Sequence, residues 1–174
     1  MALMNPDAIP MRISPWHRRI QRLAAIGWVT RIVAPLVHAA DLALLRLSGD
    51  GLSVTSFAIG VPVRLISTVG ARTGQIRTHP LTIVPNGSRL GLIASNFGRR
   101  HLPGWCHNLR AHPSVRVRLN GAWRPFRAIE LDGDRRQRVW EQAVALYPGY
   151  ADYARRAAPR AIPIFELVPD KADD

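Results

Sequence analysis

The chain has 174 residues, enough for one domain with a sizeable core, and its hydrophobic fraction of 47% excludes a disordered polymer. The formal net charge is +12 and every basic residue except Lys171 is arginine, so the protein attracts anions: a cofactor, a nucleic acid or a lipid surface. The single cysteine, Cys106, excludes an internal disulfide, and residues 51–129 contain no carboxylate, which leaves a paired-carboxylate hydrolase no home there.

Residues 1–14 read as a frayed end. Pro15 opens a helix with Trp16, Ile20, Leu23 and Gly27 on one face and Arg18, Arg19 and Arg22 roughly opposite. Pro35 breaks or kinks it, and a second segment places Leu36, Ala40, Leu44 and Leu47 on one side. No run approaches the roughly 18 apolar residues of a spanning helix, and no signal-peptide pattern follows the arginines. Residues 1–48 thus form a basic helical extension to a domain at 49–174. The extension has two readings: a helix packed on the domain, or an amphipathic helix lying on an anionic membrane.

From Gly49 the pattern turns to short strands divided by turn residues. Val61, Val63 and Leu65 alternate with Pro62, Arg64 and Ile66 up to Gly70; residues 78–84 return, and Asn86-Gly87 makes a hairpin into 90–94. A short helix at 103–110 follows. Val115, Val117 and Leu119 alternate with Arg116 and Arg118, one face buried and one wet, before Asn120-Gly121 turns into a strand at 123–131. Asp134 begins a helix with Val139, Trp140, Ala143, Val144 and Tyr147 in one stripe, ended by Pro148-Gly149. A helical piece at 150–156 and a strand at 162–168 close the chain. About six antiparallel strands with hairpin connections predict a mainly β (α+β) fold, a small barrel with flanking helices.

The chemistry concentrates in residues 68–113. Gly70 and Gly74 bound a turn whose backbone N–H groups can point outward toward an anion. Arg72 and Arg77 flank that turn, and a guanidinium fork matches phosphate oxygens two at a time. A second loop running into a helix start strengthens the reading of a phosphate-bearing ligand. His101, His107 and His112 lack a metal-ligand spacing and have no carboxylate or second thiol beside them, so no metal is expected. A nucleophile elbow and a dinucleotide fingerprint are both missing. Hydride transfer needs only a cofactor and an acceptor held in register, so these residues suit redox catalysis and passive binding equally. Taken alone, Trp105 reads as a core anchor and Tyr147, Tyr150 and Tyr153 as one packed helical face.

Val-Gly-Ala-Arg-Thr-Gly-Gln-Ile-Arg-Thr-His-Pro-Leu, Ala-Ser-Asn, Pro-Gly-Trp-Cys-His-Asn-Leu, the run at 146–153 and Ile-Pro-Ile-Phe-Glu-Leu together resemble the deazaflavin-dependent nitroreductase family. The resemblance covers about residues 60–169. It implies a split β-barrel oxidoreductase that uses coenzyme F420, a deazaflavin carrying a phosphate and an oligoglutamate tail, to reduce a quinone, nitroaromatic or activated alkene. It implies that Ala71, Arg72 and Thr73 line the phosphate and tail, and that Arg77, Thr78, His79, Pro80, Leu81 and Thr82 are the next contacting run. Ile93, Ala94, Ser95 and Asn96 would lie along the deazaflavin, with Ser95 also reaching the acceptor. Gly104, Trp105, Cys106, His107 and Asn108 match the second loop and helix start, where orphan N–H groups favour anions. Tyr147, Tyr150 and Tyr153 match the acceptor pocket, with Tyr150 nearest the reacting centre.

The chain departs from that pattern at Cys106, where an aromatic residue is common, and at His79, where a small or β-branched one is usual. Phe97 and Arg99-Arg100-His101 make the second loop bulkier and more basic. The resemblance implies a cytoplasmic enzyme with a small-molecule acceptor, with contact at the inner face of the cell membrane if the extension binds lipid. Two other functions stay open: a non-catalytic deazaflavin or flavin carrier on the same barrel, and a nucleic-acid binder. The second has only its charge in favour and lacks a recognition helix or a single-strand platform.

Overall fold

A computed structural model of the protein describes residues 13–24, 27–49 and 51–170. Most of the end expected to fray, residues 1–12, lies outside them. The strands are β1 (Val63–Val69), β2 (Ile76–Thr82), β3 (Val84–Asn86), β4 (Arg89–Ile93), β5 (Ser114–Leu119), β6 (Ala122–Glu130) and β7 (Ile164–Pro169). All seven join one antiparallel sheet in the order β2-β1-β5-β6-β7-β4-β3. Its two edges, β2 and β3, are consecutive in the chain with only Ile83 between them. The sheet must therefore curl until its edges meet, which produces the split barrel. Ile83 fixes the junction by donating its N–H to Pro62 O at 2.9 Å. The expected return strand at 78–84 is thus two strands that serve opposite edges, which raises the count from about six to seven.

Inside the curl, Ile66, Leu90, Leu92, Val117, Phe126, Phe165 and Leu167 form the main core. Helix α4 (Gly104–Ala111) plugs it with Trp105, Cys106 and Leu109. Each fully buried aliphatic or aromatic side chain contributes about 1.5–3 kcal/mol. Outside, α5 (Gly133–Leu146) and α6 (Gly149–Ala157) cover β3, β4 and β7 through Val84, Val139, Ala143 and Ile164. Gly91 permits that approach, since a Cβ there would stand 2.9 Å from Val139 Cγ1. The carboxylate of Glu166, 2% exposed, accepts hydrogen bonds from Asn86 Nδ2 and Arg89 Nη1 at 2.9 Å each, and from Arg135. It pins α5 to the β3–β4 hairpin.

The amino-terminal helices differ from expectation. Helix α1 (Pro15–Ala24) ends before Pro35, and α2 (Gly27–Leu47) runs through that proline. A proline removes one helical bond, but packing of the carboxy-terminal half holds the helix: Leu45 and Leu42 cover Val63 and Leu65 on the outer face of β1. Among the described side chains of α2, Asp41 and Leu45 are buried, while Leu36 and Leu47 are exposed. Likewise Trp16 and Leu23 of α1 face outward and Gln21 is its buried residue. Residues after Gly49 do not start with a strand. They form α3 (Val54–Ile59), capped by the Ser53 hydroxyl on Ser56 N at 3.0 Å.

Side-chain bonds hold the three helices together. Asp41 accepts from Ser53 Oγ at 2.9 Å, from Thr55 N at 3.2 Å and from Thr55 Oγ1. Gln21 donates to Ile59 O at 2.7 Å and Leu146 O at 3.3 Å, which docks α1 on α3 and on the end of α5.

Candidate functional site

An edge strand carries a row of unpaired N–H and C=O groups, and β2 is such an edge. Beside it lies a cavity of about 800 Å³. One wall is β2 from His79 to Thr82; another is Ile93, Ser95, Asn96 and Phe97 beyond β4. Gly104 and Trp105, at the start of α4, close the inner end. Pro103 caps that helix without a side-chain bond, its carbonyl accepting from Cys106 N at 3.0 Å, so the first turn of α4 has no side-chain cap. Tyr147, Tyr150 and Tyr153 form the third wall, and Val33, Val37, Ala58 and other small apolar residues of α1, α2 and α3 roof it.

All three tyrosines are 4% exposed and their ring centroids lie 5.3–6.1 Å apart. Tyr147 and Tyr153 bond hydroxyl to hydroxyl at 3.1 Å, while Tyr150 reaches across to Thr82 Oγ1 at 2.8 Å. Burial pushes the phenols of Tyr147 and Tyr150 up to about 12 and raises Tyr153 further. At neutral pH all three keep their protons. The cluster is therefore both a packed face and a chamber wall. Trp105 has the same double role: it is 7% exposed, packs edge-on against Phe165 at 6.0 Å, and lines the chamber.

The chamber gathers His79, Pro80, Leu81, Thr82, Ile93, Ser95, Asn96, Gly104, Trp105 and the tyrosines among the residues anticipated from sequence. Ala71, Arg72, Thr73, Arg77, Thr78, Ala94, Cys106, His107 and Asn108 lie outside its lining. The turn at 70–75 satisfies most of its own donors: Gly70 N bonds Gln75 O and Gly74 N bonds Gly70 O, each at 2.8 Å, and Gln75 N reaches Thr73 Oγ1 at 3.4 Å. Ala71 N goes to Asn108 Oδ1 at 3.0 Å. The N–H groups of both glycines are thus taken up within the turn, while the guanidinium groups of Arg72 and Arg77 beside it are exposed. Asn108 also donates to Thr68 Oγ1 at 3.0 Å, so its amide ties α4 to the turn. Cys106 points into the barrel core, fully buried, where desolvation pushes its thiol up to about 11. His107 is exposed on the outer side of α4. Burial, aided by His38 and Arg77, lowers the pKa of His79, whose Nε2 is buried without a hydrogen-bond partner.

Sequence reasoning missed Asp41, His38 and Thr55, which α2 and α3 bring to the chamber. It also missed Arg160, whose role depends on contacts about 65 residues upstream. Only the local signal Ser53-x-x-Ser56, a cap pattern, could have placed α3.

A curled antiparallel sheet with a chamber along one edge defines a split-barrel protein. The family model for F420H(2)-dependent quinone reductase matches residues 44–169, and the chain belongs to that family. An F420H(2)-dependent quinone reductase of Mycobacterium tuberculosis is 41% identical over 58 residues, which span 33% of this chain and 39% of that protein. The structure of an F420-H2 dependent reductase (FDR-A) is similar at TM-score 0.56 and 36% identity, covering 61% of this chain and 93% of that one. A structure described as a domain-swapped dimer gives TM-score 0.58 and 30% identity, over 80% of this chain and 96% of that one. The family model begins near the end of α2, so α1 and all but the last four residues of α2 lie outside it.

Proposed function

We propose that the protein is an oxidoreductase that transfers hydride from reduced coenzyme F420 to a quinone-type acceptor. The observation that carries this reading is that one chamber joins a β edge, a helix start without a side-chain cap and a protonated tyrosine cluster. These residues fit a deazaflavin. The β2 edge offers partners for ring carbonyl and N–H groups, and the exposed Arg72 on the turn and Arg77 at the start of β2 stand ready for a phosphate and acidic tail. The bound reduced deazaflavin supplies the hydride.

The chain itself orients and polarises. Trp105 and Leu92 give the ring a flat apolar support, and the roof of α1–α3 excludes water. Negative charge grows on the acceptor oxygen as hydride arrives, and a fixed donor there lowers the barrier. Tyr150 is the group we assign to that task. Its raised pKa keeps the proton on the phenol, so it acts by donating a hydrogen bond while Thr82 fixes its direction. Tyr147 and Tyr153 shape the acceptor side.

Mixing the protein with reduced coenzyme F420 and following its oxidation across quinones, nitroaromatics and enones tests this reading. Turnover with quinones supports it, whereas tight binding without turnover for any acceptor favours the carrier alternative.

A second reading concerns place. No helix of the described residues is long and apolar enough to cross a membrane. Trp16, Leu23 and Phe57 are exposed, the first and last with rings 5.6 Å apart, beside the exposed Arg18, Arg19 and Arg22. We propose that this face rests on an anionic membrane surface, where apolar quinones dissolve.

A further inference from the structure

The segment at 94–99 adopts an unusual backbone. Asn96, Phe97 and Gly98 have φ of +48°, +55° and +76° in succession. Asparagine tolerates this region, and here Asn96 Nδ2 is anchored to His101 O at 2.9 Å. Glycine is required at 98, because a Cβ would stand 3.0 Å from Tyr153 O. Phenylalanine has neither excuse, and strain of this kind persists only where the surroundings over-determine it.

Arg160 supplies much of that constraint. Its guanidinium donates to both ends of the segment: Nη1 to Ala94 O at 3.4 Å, Nη2 to Ser95 O at 3.0 Å and to Arg99 O at 2.7 Å, and Nε to Arg99 O at 3.2 Å. A planar fork with donors on two edges can hold several carbonyls at fixed spacing, which a lysine ammonium cannot. Held this way, the Phe97 ring lines the chamber, meets Tyr153 edge-on at 6.0 Å and remains 43% exposed. It buries too little to be kept for stability alone.

We propose that Phe97 is the specificity-determining wall of the acceptor side, and that Arg160 is the positioning residue that holds it there. This rests on the reading that the acceptor lies against the tyrosine cluster. A ring standing edge-on to Tyr153 extends the aromatic wall, so it favours a flat bicyclic acceptor over a single ring.

The test compares naphthoquinone with benzoquinone in the full-length wild type, Phe97→Ala and Arg160→Lys, using reduced coenzyme F420. The ratio of the two kcat/KM values cancels any change in cofactor binding. Phe97→Ala is expected to cut the naphthoquinone preference about three- to tenfold, the scale of one aromatic contact, through KM rather than kcat. Arg160→Lys is expected to lose the same preference with Phe97 still present. Quenching of tryptophan fluorescence by naphthoquinone, without cofactor, should show weaker binding in both variants. A wild type that leaves reduced F420 untouched overturns the proposed activity. A wild type that turns over, with Phe97→Ala keeping both the preference and the quenching, overturns this inference alone. Retention of both by Arg160→Lys removes the clamp from it.

Discussion

The hydroxyls of Tyr150 and Thr82 meet at 2.8 Å, joining α6 to the edge strand β2 at the side of the chamber. Everything proposed for the acceptor depends on this contact, because it aims a buried phenol from one wall while its partner belongs to the other. Tyr150→Phe should lower kcat with quinones about tenfold, or about 1.4 kcal/mol of barrier, with a smaller change in cofactor affinity. Tyr147→Ala and Tyr153→Ala should mainly raise the acceptor KM. Steady-state kinetics with a separate cofactor titration distinguish these effects. Full kcat in Tyr150→Phe would reduce that phenol to a wall.

The chain has three tyrosines, all in this cluster, so phenolate absorbance reads the site and nothing else. The folded pKa values are raised above the ordinary 10.0, Tyr147 and Tyr150 to about 12, with burial the main cause. A raised acid pKa means that the neutral form is favoured on folding. That stability is fully present below pH 10 and is lost as pH rises through about 12. Spectrophotometric titration of the native protein should therefore show little phenolate at pH 10, where the unfolded chain is half ionised. Half ionisation of the folded protein at pH 10 would show the cluster to be open to water.

Asn108 is expected to act at a distance. Asn108→Ala leaves Ala71 N–H and Thr68 Oγ1 without their partner, which should cost about 1–3 kcal/mol of stability. Cofactor binding should weaken as well, because the turn that carries Arg72 loses its tie to α4. Denaturant melts and cofactor titration measure the two effects; unchanged affinity in a folded variant would separate the turn from the cofactor.

How far the sequence foretold these relationships depended on the range of the interaction. The hairpin at Asn86-Gly87 and the alternation of Val115, Val117 and Leu119 were legible because period and turn chemistry are local. The buried face of α2 was not, since its apolar residues outnumber those that the barrel covers: Leu36 and Leu47 are exposed and Leu45 is buried. The bonds that take up the N–H groups of Gly70 and Gly74 were not legible either, because composition does not reveal bonds internal to a loop. The tyrosine cluster entered through family resemblance, but its link to Thr82 spans 68 residues and has no local signature. Ile83, one residue between two strands, turned a single expected strand into both edges of the sheet.

The amino-terminal helices should matter for both structure and place. Deletion of residues 1–48 strips Leu45 from Val63 and Leu65 and removes most of the chamber roof, so it should destabilise the barrel by several buried side chains, about 1.5–3 kcal/mol each. The gentler replacement of Arg18, Arg19 and Arg22 by glutamine keeps the packing and tests lipid contact. Co-sedimentation with anionic vesicles should fall in that variant and in high salt. A wild type that ignores anionic vesicles would leave the helices as a roof and no more.

The arginine turn gives the sharpest test of which cofactor the chamber holds. Titration of the full-length protein with coenzyme F420 and with FMN, followed by tryptophan fluorescence, should show far tighter binding of F420. That binding should weaken with salt and fall by about 1–3 kcal/mol in each of Arg72→Ala and Arg77→Ala. Equal or tighter binding of FMN, or a double variant with undiminished F420 affinity, would contradict the assignment of this site to a deazaflavin.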